Sequence, residues 1–500
     1  MNAIGFFRTD DLNKSNINEI SKQANIIIPC DFTHAAIIGE TGCGKTTGLI
    51  YPNLLDRIQK GHSIFIIDYK GCEHLRVKAL AKRADRIKDI VCIGSIIEEP
   101  INLMADMRSR DFKNSIISYM QSENGNFWAE FGSNIATKTF EVLKAIYTCS
   151  LRVESMRDAL SFGFKNRLDN VSNRYPPTFS TILNLSQDIT AMREFIDKLE
   201  EISFLRSKLN TNMNTNHEIK GLIIILVKKI NDFLDSVKRF KYEDSGSEDR
   251  LKSDFRNYSM MMTPFLSIMN NLSLNASNGS IVSMLNKGKI VVFDASYCDK
   301  GALNMILSSF LPMLTNRKQE DKKISISVFL DEAAKIINRY SELEESILRE
   351  NRVELILAFQ NPFLLKSVVG INEYESLIGN LTNRYFMKNK VECTIAGKEI
   401  ECEGLDKFEC ITDDGRVKLT PIYISEQEMN QAQMEYEDMN NIHNRLFGKK
   451  YKGHIVQIDI DLLEIGRINL LNIENNNIKE VGLNIDFIAK YFKIEAECSL

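Results

Sequence analysis

Three observations predict an α/β fold with a largely parallel central sheet, a phosphate-binding loop and an inserted all-α domain. The first is Ala35-Ala-Ile-Ile38, an apolar run suited to a buried strand. It leads into Gly39-Glu-Thr-Gly-Cys-Gly-Lys-Thr-Thr47, which fits G-x-x-x-x-G-K-[ST] with Gly39, Gly44, Lys45 and Thr46 in the required places. The second is a series of further apolar runs, Gly61–Asp68, Asp89–Gly94, Gly288–Asp294, Ile324–Asp331, Val353–Phe359 and Arg384–Lys388. Most are separated by helical segments, and near-continuous apolar strands of this kind belong to a parallel sheet covered on both faces. The third is the loss of that strand signal between about 100 and 285, where apolar residues recur at helical spacing.

Taken in order, residues 1–34 read as a mixed, partly helical lead-in, and Thr46 to Leu55 can begin a helix behind the glycine-rich loop. Tyr69-Lys-Gly71 ends the second strand, and a basic helix with Arg76, Lys78, Lys82, Arg83, Arg86 and Lys88 precedes the third. Helical spacing is expected over Phe112–Tyr119, Phe127–Tyr147, Ser180–Glu201 and Ile219–Phe240. Ser150–Arg167, the Asn-rich Leu209–Asn216 and the charged Tyr242–Arg250 read as connectors, and Phe127-Trp128 as a core anchor. Beyond about 406, Phe408–Ile411 and Val417–Leu419 can pair as an antiparallel hairpin around Asp413-Asp-Gly415. The last 70 residues are polar and Asn-rich, with strand-like Gly453–Asp459 and a final helical stretch. The expected organisation is a nucleotide-binding domain in two parts, 1–99 and 286–425, an all-α insertion at 100–285, and an acidic extension at 426–500.

Five hundred residues with 44% apolar and 26% charged content suit a globular protein of several domains. The longest apolar runs fall well short of the ~20 residues of a membrane span, and the N-terminus lacks the pattern of a signal peptide. The ten cysteines show no zinc-knuckle spacing, so reduced thiols are expected. The net charge of −4 hides an asymmetry, −9 over 391–500 and +5 over the remainder. A mildly basic body suits phosphates and an acidic end suits protein contacts, though ordinary solvation of two surfaces explains both equally well.

The motifs imply a hydrolytic nucleotide site. Glycines let the loop curl so that the N–H groups of Thr41, Gly42, Cys43, Gly44, Lys45, Thr46 and Thr47 can converge on phosphate oxygens. The helix that follows adds unpaired N–H groups and the positive end of its dipole. Lys45 would reach the β- and γ-phosphates of ATP, and the Thr46 hydroxyl would hold Mg²⁺. Ser-Val-Phe-Leu-Asp331-Glu332 is an apolar strand ending in two carboxylates, with Asp331 placed for the Mg²⁺ shell and Glu332 for polarising a water. Glu332 could instead only open a helix. Gln360, where the next strand ends, can sense the γ-phosphate or merely satisfy a turn. Arg349 or Arg352 could neutralise transition-state charge at a neighbouring subunit's site, or solvate a helix surface. Cys43 reads as a tolerated small residue ahead of a redox control.

In this order the parts resemble the type IV secretion coupling-protein family, the TraD/TraG-type conjugative DNA-transfer ATPases of the HerA/FtsK group. The resemblance rests on GETGCGKTTGLIYPNLL at the loop, IFIIDYKG at the second strand, INLM at 101–104 and NFWAEFGSNIATKTFEVLKAIY at 126–147. It continues in VFLDEAAKI at 328–336 and LILAFQNPFLL at 355–365, and covers roughly 33–425. It implies a RecA-like nucleotide domain carrying an all-α domain, assembled as a homo-hexamer that moves DNA, single-stranded during transfer, or hands substrates to a secretion channel. Relaxase or relaxosome and channel components would be the partners. By motif, Lys45 and Thr46 match the nucleotide site, Asp331 and Glu332 the Mg²⁺ and water-activating acids, Gln360 the sensor glutamine and Arg349 the arginine acting in trans. Many members begin with two membrane-spanning helices, and none is legible here. The implied location is therefore cytoplasmic, with any attachment to the inner face of the membrane made through partners.

The resemblance also leaves room for a protein-substrate receptor that uses ATP as a switch, or for a DNA-processing translocase without a secretion channel. Other P-loop classes fit less well. There is no [NT]-K-x-D guanine-reading motif after the acids and no L-S-G-G-Q-like signature before them, and the helical segment is longer than a metabolic kinase needs.

Overall fold

The structure, a computed structural model, describes most of the chain between Ser21 and Gly482. Residues 1–20, 441–466, 473–476 and 483–500 fall outside the description, as do shorter internal stretches, the longest being 155–161, 208–216 and 241–247. Two compact units result. One is Met1–Cys92 with Ile281–Ser296 and Phe310–Tyr436, and the other is Ile93–Ser280 with Tyr297–Ser309 and Glu437–Leu500.

The first unit is built on the main sheet. Its strands in chain order are β1 (Ser21–Ala24), β2 (Ala35–Ile38), β3 (Ser63–Asp68), β4 (Ile90–Ile93), β5 (Ile290–Asp294), β6 (Ile326–Leu330), β7 (Val353–Phe359) and β8 (Asn383–Met387). A small separate hairpin, β9 (Cys393–Ile395) and β10 (Lys398–Ile400), precedes the last two, β11 (Glu409–Thr412) and β12 (Gly415–Leu419). The order across the sheet is β1-β12-β11-β8-β2-β7-β6-β3-β5-β4. From β8 to β5 the neighbours run parallel, while β11 is antiparallel to both β8 and β12. Every residue of β2, β3, β6 and β7 is buried, which is why these strands read as unbroken apolar runs. The hairpin forms around Asp413-Asp-Gly415 as its alternating pattern and turn residues require. The mixed lead-in contributes β1, paired parallel to β12, and its first 20 residues lie outside the described residues.

In the second unit the helices Ser109–Met120, Asn126–Glu154, Phe162–Arg174, Phe179–Gln187, Ile189–Ser207, His217–Val237 and Glu248–Met262 pack on aromatic side chains. Phe112 stacks on Phe140 with ring centroids 4.9 Å apart and meets Phe179 edge-on at 5.8 Å. Two expectations are corrected. Ser150–Arg167 is not one connector, because the long helix runs on to Glu154 and the next begins at Phe162; nothing in Ser150-Leu-Arg-Val153 stops a helix. Ser180–Glu201 is two helices, divided at Asp188, whose carboxylate accepts the Thr190 N–H at 2.8 Å and so caps the second. Leu209–Asn216, the side chains of Phe127 and Trp128, most of Tyr242–Arg250, strand-like Gly453–Asp459 and residues 483–500 lie outside the described residues. The described part of the far tail is an antiparallel pair, β13 (Arg467–Asn472) with β14 (Asn477–Gly482). Among the described residues no helix is long and apolar enough to cross a membrane.

A charged network lies inside the first unit. Arg57, fully buried, meets Glu354 of β7 through two hydrogen bonds of 2.5 and 3.0 Å. Ser327 of β6 donates its hydroxyl proton to Glu354, so it accepts from His62 Nδ1 at 2.8 Å, and the imidazole is neutral with its proton on Nδ1. Burial pushes His62 down to about 4; Glu354 pulls the other way and Arg57 adds to the fall. A histidine depressed in the fold binds protons more readily when unfolded, so its stabilising contribution is complete above the unfolded value of about 6.5. It is lost as pH falls toward 4. The expected loss between pH 6.5 and 4 is roughly 3 kcal/mol from this one group, at ~1.4 kcal/mol per unit. Urea midpoints across that range should fall less steeply in His62→Asn, which keeps a donor near Nδ1 but cannot titrate; an unchanged slope would contradict the assignment.

Candidate functional site

The order β2-β7-β6 places the carboxyl ends of three parallel strands side by side, and each carries one part of the site. The registers Ile38↔Phe359 and Leu330↔Leu357 bring their ends level. After β2 comes the glycine-rich loop, after β6 Asp331 and Glu332, and after β7 Gln360. Ligands of open parallel sheets bind at this edge, because the chain leaves each strand there as a loop free to carry function.

The loop curls as its glycines permit. Gly44 has φ +103, and a Cβ there would stand 2.3 Å from the Phe408 ring. At Gly39 a Cβ would meet Cys43 Sγ and Met387 Cβ, each at 2.8 Å. A side chain at either position would force the loop off β8 or off the hairpin. Lys45 is buried and donates to the carbonyls of Gly39 and Glu40 at 2.7 and 3.1 Å. Behind the loop, a wide turn over Thr46–Ile50 opens the helix Tyr51–Gln59. Cys43 points into the core, where burial pushes its thiol up although Lys45 works in the opposite direction; that environment does not favour a reactive thiolate.

Thr46 Oγ1 and Asp331 Oδ2 are 3.4 Å apart. Glu332 holds a left-handed backbone, φ 61, which is uncommon for a residue with a side chain and gathers at functional sites. Its carboxylate accepts from Gln360 Nε2, and Gln360 Oε1 accepts from Thr41 Oγ1 at 2.8 Å. The amide of Gln360 is therefore fixed at both ends, joining the loop to the acid. The backbone carbonyl of Gln360 accepts a further bond from Asn389 Nδ2 at 2.8 Å.

These groups line a cavity of about 240 Å³ formed by Thr41, Gly42, Gly44, Lys45, Thr46, Thr47, Asp331, Glu332, Gln360 and Lys407. A second cavity of about 320 Å³ shares Thr46 and Thr47 but is walled by Tyr51, Glu73, Arg76, Tyr423 and Ile424. Glu73 is held there by the Tyr51 hydroxyl and Arg76, both at 2.6 Å. A phosphate chain in the first cavity with its nucleoside in the second fits this division. The donor set also fits Mg²⁺. Among the described residues no cluster of three or more His, Cys, Asp or Glu could cage a metal. One hydroxyl and one carboxylate are the protein share expected for an ion that takes its remaining ligands from phosphate and water.

Arg349 and Arg352 are not brought to this site. They precede β7 while Gln360 follows it, so the strand, roughly 23 Å at ~3.3 Å per residue, separates them from the cavity of their own chain. Arg352 donates to Ser325 at 3.0 Å and lies over the Phe32 ring, while Arg349 is exposed. The D-x-K-G turn has a structural role. Burial would raise Asp68, but hydrogen bonds from the His74 ring and backbone hold its carboxyl low, and it also accepts the Cys72 N–H at 3.2 Å. It thereby caps the helix Glu73–Arg83; Lys70 lies outside the described residues. Sequence reasoning missed Lys407, whose only signal was its position beside the hairpin.

Fold and site define a P-loop NTPase fold of the RecA kind, a largely parallel sheet accompanied by a largely helical unit. In structure the chain is similar to the bacterial conjugative coupling protein TrwB. The complex of TrwB with sulphate matches at TM-score 0.50 and 13% identity over 81% of this chain and 90% of that one. TrwB with the ATP analogue ADPNP matches at TM-score 0.50 and 12% identity over 81% and 91%. In sequence the chain is similar to the DNA double-strand break repair helicase HerA of Sulfurisphaera tokodaii, 25% identical over 242 residues, 44% of this chain. That match spans 44% of HerA, less than half its length. No protein-family signature matches the chain.

Proposed function

We propose that this chain is an ATP-hydrolysing DNA translocase of the conjugative coupling type, acting as a homo-hexamer that passes DNA and its bound relaxase to a type IV secretion channel. The observation that carries the reading is the hydrogen-bonded line Thr41–Gln360–Glu332, which ties the phosphate loop to the acid placed to activate water. Lys45 and the loop N–H groups hold the phosphates of ATP, and Thr46 with Asp331 holds Mg²⁺, which supplies charge neutralisation when bound. Glu332 accepts the proton of the attacking water, and Gln360 reports the state of the γ-phosphate to the loop. Arg349, exposed and remote from its own cavity, is available to a neighbouring subunit's site. Residues 100–285 serve as the helical domain inserted between 1–99 and 286–425, with 426–500 as an extension available to protein partners. TrwB, whose fold this chain shares, has been solved with ADPNP and with a GTP analogue, which supports a nucleotide in the cavity. The likeness to HerA supports DNA as what is moved. On this reading the protein works in the cytoplasm, at the membrane's inner face through its partners.

ATP hydrolysis by the full chain is expected to rise several-fold on adding single- or double-stranded DNA, together with a shift in native mass to six copies. Lys45→Ala should abolish both basal and stimulated rates. A hydrolysis rate indifferent to either DNA would rule out the motor reading.

A further inference from the structure

Beside the phosphate loop stands a cation that none of the nucleotide motifs includes. Lys407 lines the same cavity as Lys45, Asp331, Glu332 and Gln360. Its side chain is exposed, but the turn that carries it is seated on the phosphate loop. The next residue, Phe408, has a left-handed backbone, φ 65, and donates its N–H to Cys43 O in the loop at 3.0 Å. The Phe408 ring occupies the space that the missing Cβ of Gly44 leaves open. A left-handed non-glycine residue is retained where surrounding contacts over-determine it, and here the contacts are those of the phosphate loop itself. The Lys407 ammonium lies over this anchor, with Nζ 5.0 Å from the centre of the Phe408 ring. Among the described residues its ammonium has no carboxylate partner. The cavity's two carboxylates, Asp331 and Glu332, face two ammonium groups, of which Lys45 already donates to the Gly39 and Glu40 carbonyls.

We propose that Lys407 is a nucleotide-binding residue, a second ammonium delivered in cis by the turn before β11, which binds the terminal phosphate of a nucleoside triphosphate. The proposal rests on the nucleotide reading above and adds which phosphate is held. The two adjoining cavities set the direction. Lys407 stands with Asp331, Glu332 and Gln360, the hydrolytic groups, while the cavity on the other side of Thr46 and Thr47 contains Tyr51, Arg76 and Tyr423 and no lysine. Charge-assisted hydrogen bonds to phosphate are among the strong ones, so loss of this contact should be visible in binding alone.

The test is titration of the full chain with ADPNP and with ADP, each with Mg²⁺, in Lys407→Met, Lys407→Arg and Lys45→Ala. Lys407→Met keeps an unbranched stem beside Phe408 and removes only the charge. It is expected to weaken ADPNP binding about tenfold and ADP binding less than about threefold, and Lys407→Arg to stay within about threefold of the parent for both. Phe408→Ala, which keeps the lysine but removes its anchor, should weaken ADPNP binding in the same direction. Parental ADPNP affinity in Lys407→Met, with binding lost in Lys45→Ala, would overturn this proposal and leave the nucleotide site standing. Equal weakening for ADP and ADPNP would overturn the assignment to the terminal phosphate. Parental affinity in Lys45→Ala would instead overturn the nucleotide reading on which the proposal rests.

Discussion

Replacing Glu332 with glutamine is expected to lower ATP turnover by about 100- to 10,000-fold, the range associated with removing a positioned general base. The substitution preserves size and leaves an oxygen able to accept from Gln360 Nε2, so the line from Thr41 through Gln360 stays intact. What disappears is the capacity to take a proton from water. Nucleotide binding, which on the proposed reading rests on Lys45, Thr46 and the loop N–H groups, should remain within about threefold, since the lost interaction belongs to the transition state. Single-turnover hydrolysis alongside ADPNP titration separates the two quantities. Retention of more than a tenth of the parental rate would mean that Glu332, despite its left-handed backbone and its bond to Gln360, is only the residue at which a helix opens.

The largest effect on stability is expected at Glu354→Ala. Arg57 is fully buried, and its charge is opposed by burial and sustained by the Glu354 carboxylate, which holds the guanidinium protonated well above its ordinary range. Removing the carboxylate leaves Asp56, at 2.6 Å, as the guanidinium's remaining acidic partner and takes an acceptor from Ser327, at a cost of about 2–4 kcal/mol. Replacing both partners, Arg57→Met with Glu354→Leu, should recover most of that loss, because no unpaired charge is then buried. Denaturant unfolding of both variants measures the difference. A single substitution costing under about 1 kcal/mol would show that Asp56, with the Ile28 and Pro29 carbonyls at 2.8 and 3.2 Å, suffices for Arg57.

Much of the site was legible because its parts are local. Gly39 to Thr47 is one continuous loop, and the acid pair ends a strand whose apolar run announces its own termination. Seven apolar runs became seven strands of the main sheet, since burial on both faces leaves an unbroken signal. The helical middle was legible in kind and less so in its joints. Asp188 divides a helix by capping the second half, a local competition that apolar periodicity does not register. The role of Asp68 was similarly hidden, because D-x-K-G reads as a signature while the carboxylate's work is to cap the helix that begins at Glu73.

What the sequence by itself determined was a phosphate loop, an acid pair, a polar amide and a parallel sheet interrupted by helices, because hydrophobic period and glycine spacing act within a few residues of one another. Only the tertiary structure decided that β7 lies between β2 and β6, so that Gln360 bridges Thr41 and Glu332. It likewise decided that Glu354 answers Arg57 from 297 positions away, and that Lys407 reaches the cavity because Phe408 seats on Gly44. Such pairings follow from strand order and from one missing Cβ, and no local pattern encodes which distant segment a buried charge or an open glycine will meet.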